Sequence, residues 1–191
     1  MSRSNRERTE QTRQALMDAA RRLFVEKGYA ETATPDIVAA AGVTRGALYH
    51  HFEDKKALFR AVIEREAADV ADEIERRAMS QTAPREAMLE GAAAYFDAME
   101  VAGRTRLLLL EAPAVLGLPT TAQIDAENAE ATLRAGLEAL LPQASLLGPL
   151  TAMLSAAFDR AAIAIAAGGS REDYEQGIAA LLDGLADHLR R

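Results

Sequence analysis

Residues 34–59 read TPDIVAAAGVTRGALYHHFEDKKALF, and the order of caps, small residues and apolar residues in this stretch decides the fold. Thr34-Pro35-Asp36 supplies an N-cap, a proline at the first helical position and an acid beside the positive helix end. A short helix is therefore expected from Pro35 to Ala41, stopped by Gly42, which tolerates the positive φ of a turn. Thr44 caps a second short helix, roughly 45–51, and Asp54 caps a longer one carrying Leu58, Phe59, Val62 and Ile63. Ala39, Ala40 and Ala41 are small enough for the short helices to cross closely. Ile37, Val43, Leu48 and Phe52 give the pair an apolar underside. Two short helices joined at Gly42-Val43 have the spacing of a helix-turn-helix.

Upstream, a helix is expected from about Thr9 to Lys27, with Leu16, Ala20, Leu23, Phe24 and Lys27 on one stripe and Gly28 as its C-cap. Downstream, Ser80-Gln-Thr-Ala-Pro84 interrupts the pattern and marks a module boundary near it. Five further helices follow, at about 85–101, 104–116, 119–141, 146–167 and 171–190, with Pro113 kinking or splitting the second. With no alternating β-branched run and abundant Ala and Leu, the expected fold class is all-α.

Composition narrows the function classes. The 191 residues are 49% apolar, enough for a substantial core, and include no cysteine, so disulfides, thiolate metal sites and a cysteine nucleophile are excluded. His50, His51 and His188 leave little for a metal site, and neither a metal nor a cofactor is expected. No apolar run of roughly 18 residues is recognised as a membrane span, and MSRSNRERTE lacks a secretory apolar core, so a cytoplasmic location is expected. Residues 1–62 carry 11 basic and 8 acidic side chains, whereas residues 63–191 carry 11 and 21. A mildly basic front on an acidic body suits a polyanion at the front alone.

The outward positions of the second short helix are Thr44, Arg45, Gly46, Ala47, Tyr49 and His50. Arg45 near the helix start can bond a guanine bidentately, and Gly46 and Ala47 keep the face low enough for a major groove. Ala47 can touch a thymine methyl. Thr34 and Thr44 place hydroxyls at helix N-termini, where backbone N–H groups favour phosphate. Tyr49, His51 and Lys55 can follow the DNA backbone.

At these residues the chain resembles the TetR family of bacterial transcriptional regulators. The resemblance runs from about Thr9 to Glu66 through Leu23-Phe24, Gly28-Tyr29, Ala-Gly-Val-Thr-Arg-Gly (41–46), Leu-Tyr-His-His-Phe (48–52) and Asp-Lys-Lys-Ala-Leu-Phe (54–59). It implies a flexible basic arm (1–8), a DNA-binding domain (9–66, motif about 34–52) and a helical ligand-binding and dimerisation domain (67–191). It also implies phosphate contacts at Tyr49, His51 and Lys55, a helix-cap contact at Thr34, and base reading by Thr44, Arg45 and Ala47. Pro35 and Asp36 depart from the pattern, because neither side chain suits a phosphate; specificity then falls to the second short helix and to Arg3, Arg6 and Arg8 of the arm.

The resemblance further implies a homodimer through helices about 146–167 and 171–190, with alanines allowing close approach and Leu181, Leu182, Leu185 and Leu189 forming a stripe. Double-stranded operator DNA and a small-molecule effector are the expected partners, with no membrane. Tyr95, Phe96, Met99, Leu107, Leu110, Glu111 and Phe158 are candidate pocket residues, against the reading that each is ordinary core. Repression released by a ligand is the expected function. Its alternatives are a regulator without a small-molecule ligand, a helical enzyme and an interaction module. The enzyme has only scattered Glu111, Asp159 and Arg160 to offer, with neither a nucleophile–base pair nor a glycine-rich phosphate loop.

Overall fold

A computed structural model describes residues 5–142 and 145–189, and among these every regular element is helical. Helix α1 (Asn5–Glu31) precedes α2 (Thr34–Ala41), α3 (Arg45–His51) and the long α4 (Lys55–Ala78). Then come α5 (Pro84–Met99), the short α6 (Arg104–Arg106), a π-helical turn (Leu107–Glu111) and α7 (Ala112–Leu116). The chain continues through α8 (Leu118–Ala126), α9 (Ala129–Leu140), α10 (Leu147–Ala166) and α11 (Arg171–Leu189). Arg3 of the basic arm and the side chains of His188 and Leu189 lie outside the described residues.

The caps explain the short helices. Thr44 Oγ1 accepts the Ala47 N–H at 3.2 Å and Asp54 Oδ1 accepts the Ala57 N–H at 2.7 Å, each satisfying one orphan donor of a first turn. Thr34 does not cap α2. Ala33 holds that position without a side-chain bond, so Thr34 is the first helical residue and Pro35 the second. Gly42 ends α2 at φ 65°, ψ 31°, the left-handed conformation the turn demands. Gly28 takes φ 81°, ψ 165° and breaks α1, but one more helical turn follows it to Glu31.

Two corrections concern the second half. The stretch expected as one helix over 119–141 is two, parted at Glu127-Asn128, where the Asn128 amide donates to the Ile124 carbonyl at 2.6 Å. Pro113 does split its helix, through a widening rather than a simple kink. The Ala112 N–H reaches back to the Leu107 carbonyl, a π-type bond, immediately before the residue that has no N–H.

Two apolar cores divide along α4. One gathers Leu16, Phe24, Ile37, Leu48, Phe52, Phe59 and Ile63, and draws in Leu107, Ala112, Leu116 and Ile124 from the second half. The other begins at Val70 and contains Tyr95, Phe96, Leu137, Phe158 and Leu182. At the head of α4 the rings of Phe24, Tyr29 and Phe59 pack with centroids 4.9–5.8 Å apart, so the end of α1 and the start of α4 are one packing unit. The expectation that no segment is apolar enough to span a bilayer needs amending. Helix α10 meets that test by length and composition, with mean hydropathy 1.3, although it carries Asp159 and Arg160.

Candidate nucleic-acid interface and ligand cavity

Buried Ile37, Leu48 and Phe52 seat α2 and α3 on α1, and this fixes what α3 shows to solvent. Thr44, Arg45, Gly46, Tyr49 and His50 are exposed, while Ala47 is half-buried at the helix's inner edge. The Arg45 guanidinium lies 5.5 Å from the centroid of the Tyr49 ring, 45% exposed, so the two longest side chains of this face support each other. Thr34 is half-buried in the first turn of α2. Asp36, expected to repel phosphate, has its charge met by Lys27 at 3.1 Å.

Two basic positions behave differently from a free phosphate contact. Lys55 Nζ donates to the Tyr29 carbonyl at 2.8 Å and the Thr32 carbonyl at 3.0 Å and sits 4.2 Å from the Tyr29 ring centroid. Two of its three N–H groups thus cap the end of α1, leaving one for an outside partner. His51 is half-buried, and burial, with the neighbouring His50 and Arg13 charges, lowers its pKa. At neutral pH it offers a hydrogen bond, without a full positive charge.

Charged side chains join this domain to the body. Glu66 on α4, 2% exposed, accepts from Arg21 of α1 at 2.7 and 3.1 Å and from Arg104 of α6 at 2.9 Å. Burial opposes ionisation of Glu66, but the hydrogen bonds from the two guanidinium groups hold its carboxyl below the usual range. Arg106 donates to the Phe24 and Val25 carbonyls at 2.6 and 2.7 Å. Glu111 accepts the Tyr29 N–H at 2.9 Å and pairs with Arg106 at 3.1 Å.

Glu111 is therefore corrected from pocket residue to clamp on the broken end of α1. Leu107 is fully buried in the first core, and Leu110 points to solvent at 52% exposure. Phe96 packs in the second core and borders a separate recess beside α6. The cavities inside the body lie elsewhere. One, about 450 Å³, runs between α4, α5, α9 and α10, and another, about 540 Å³, between α4, α8, α10 and the π turn. Tyr95 lines both, Phe158 the first and Met99 the second.

Both cavities also share Asp125, Ala129, Ser155 and Asp159. Asp159 accepts the Tyr95 hydroxyl at 2.8 Å and Asp125 accepts the Ser155 hydroxyl at 3.0 Å. Burial raises both carboxyls, Asp125 to about 6 with the Asp159 charge adding to it, and burial lifts the Tyr95 phenol well above its ordinary range. Asp125 escaped the sequence reading because the expected single helix over 119–141 hid the turn that orients it. Among the described residues no cluster of His, Cys, Asp or Glu suits a metal ion.

A three-helix DNA-binding head with an exposed α3, carried on a helical body that encloses cavities, is the architecture of a one-component bacterial regulator. The chain belongs to the TetR family. Residues 16–62 match the family model described as bacterial regulatory proteins, tetR family, and residues 85–189 match the tetracyclin repressor-like C-terminal domain. Over 110 residues the chain is 34% identical to the HTH-type transcriptional regulator AcrR of Shigella flexneri, covering 57% of this chain and 51% of AcrR. Over 55 residues it is 46% identical to the HTH-type transcriptional repressor BepR of Brucella suis, covering 29% of this chain and 26% of BepR. These matches thus span about half and about a quarter of the two curated relatives' length.

Solved structures match end to end. A TetR-family transcriptional regulator from Pectobacterium atrosepticum superposes with a TM-score of 0.73 at 30% identity, over 98% of this chain and 97% of that one. FadR of Bacillus subtilis, solved in complex with stearoyl-CoA, gives 0.74 at 15% identity over 88% and 96%, a likeness of fold alone.

Proposed function

We propose that the protein is a homodimeric, cytoplasmic transcriptional repressor that binds a near-palindromic operator through α3 and leaves it when a small molecule enters the body. One observation carries the reading: α3 rests on a fully buried underside while Thr44, Arg45, Gly46, Tyr49 and His50 stand clear of the protein. Nothing in the fold gains from an exposed Arg45 stacked on an exposed Tyr49, whereas a major groove does. Thr34, Ala47, His50, His51 and the remaining N–H of Lys55 flank that face and suit phosphate or groove-edge contacts.

Release by a ligand is supported by the placement of the π turn. Its Leu108 and Leu109, with Pro113, line the larger cavity, while Arg106 and Glu111 at its ends hold the last turns of α1. A molecule that prefers a shifted π turn would change how α1 and α4 present α3, and operator affinity would change by the same coupling free energy. The fold accommodates such a ligand in FadR, solved with stearoyl-CoA. Dimerisation is supported by the apolar residues left in solvent on α10 and α11, Met153 at 71% and Leu181 at 51% exposure. The experiment is operator selection with the wild type and Arg45→Ala. The reading requires one enriched site whose preference relaxes at one base pair in the variant.

A further inference from the structure

The two body cavities meet at Tyr95, Asp125, Ser155 and Asp159, and their charge is one-sided. The smaller is walled by apolar groups such as Ile74, Met88, Leu133 and Phe158. Its ionisable lining is Glu75, Asp125 and Asp159, with no Lys, Arg or His. The larger adds Glu130 and one arginine, Arg160, which is exposed and forms no ion pair with either aspartate. Asp125 and Asp159 each accept one side-chain hydroxyl, from Ser155 and Tyr95, and neither meets a cationic partner among the described residues. By contrast, the buried carboxylate Glu66 has two arginines.

We propose that this double cavity binds a lipophilic monocation, an aromatic or aliphatic body carrying one delocalised or amine-borne positive charge, with that charge at Asp125 and Asp159. The proposal rests on the reading of the body as an effector-binding domain and names the effector's chemical class. Carboxylates half-buried in an apolar cavity without a counter-charge carry a desolvation cost, and a cation delivered between them offsets that cost at the moment of binding. An anionic head group would add a third negative charge. The rings of Tyr95 and Phe158, centroids 5.4 Å apart, stand beside the acids and offer π-faces to a delocalised cation. The combined space suits a ligand of drug size.

The test uses three aryl probes of different charge, tetraphenylphosphonium and tetraphenylborate, which share one shape, and the smaller neutral triphenylphosphine oxide, titrated calorimetrically into the full-length protein without DNA. The expected result is binding of the phosphonium ion alone. Asp125→Asn and Asp159→Asn should each weaken it about tenfold or more, while circular dichroism and melting show both variants folded. The double variant Asp125→Asn/Asp159→Asn should accept the neutral probe as readily as the cation. Equal binding of borate or phosphine oxide by the wild type, or unchanged phosphonium affinity in both single variants, would overturn the cationic class while leaving the body a ligand-binding domain. Failure of all three probes to bind would overturn the cavity as the site. Whether phosphonium binding releases operator DNA, read separately by anisotropy, tests the ligand-released repressor and not the ligand's class.

Discussion

Arg45 is exposed, stacks on Tyr49 and makes no hydrogen bond or ion pair among the described residues, so its replacement touches recognition and little else. Arg45→Ala should cost about 1–3 kcal/mol of operator binding and relax one base position with an unchanged melting temperature. Lys55 is the opposite case. Its ammonium caps the Tyr29 and Thr32 carbonyls, so Lys55→Ala should lower stability by about 1–2 kcal/mol. It should also reduce the salt slope of DNA binding by about one. A salt slope that falls without any loss in melting temperature would contradict the cap. Asp125 carries a third residue-scale expectation, governed by Asp159, Glu130, Ser155 and Tyr95 around it. Its folded pKa, about 6, lies above the ordinary 3.8, so the folded state holds the proton more tightly than the unfolded chain. Stability from this group is therefore present at low pH and lost as pH rises from about 4 through 6. Asp125→Asn should accordingly raise stability at pH 7.5 by about 1–2 kcal/mol and leave it nearly unchanged at pH 4. Equal effects at both pH values would contradict a half-buried carboxylate without a counter-charge.

At the scale of elements, much was legible because caps and glycines are local signals. Thr44, Asp54 and Gly42 place α3, α4 and the turn before α3 within a residue. The π turn was only half legible. Pro113 announces a disrupted helix, but whether the backbone kinks, breaks or widens depends on what the flanking residues reach. Here Glu111 and Arg106 reach the end of α1, eighty residues away in sequence, and no periodicity encodes that. Separation in sequence also hid Glu66, which lies 45 and 38 residues from its partners Arg21 and Arg104 on two other helices. Glu111→Ala removes the acceptor of the Tyr29 N–H and the counter-charge of Arg106, and should destabilise by about 1–3 kcal/mol in chemical denaturation. Pro113→Ala restores a backbone donor and should let residues 107–116 return to an ordinary α-helix, moving Glu111 off Tyr29. If melting temperature, ligand response and operator affinity all stay at wild-type values in Pro113→Ala, the π turn is not the link between cavity and head.

For the whole molecule, the two cores meet on α4, and the first core takes Leu107, Ala112, Leu116 and Ile124 from beyond it. The head is thus packed into the body, and a change in the body's cavities has a mechanical route to α3. The exposed face of α3 could be read from sequence because that helix is short, capped by Thr44 and apolar on its underside. The cavity residues could not, since lining and core share one composition; Tyr95 and Phe158 line cavities while Leu107 is core and Leu110 is surface. Apolar Met153 and Leu181 suit a second copy of the chain, so Leu181→Asp should shift light-scattering mass toward the monomer and weaken operator binding together. The measurement that bears most directly on the whole account is selection of genomic DNA fragments by the purified protein at fixed salt, repeated with Arg45→Ala. One near-palindromic site, enriched by the wild type and relaxed at a single symmetric base pair in the variant, is the expected result. Recovery no better than non-specific background, or an identical site preference in both proteins, would contradict recognition by α3.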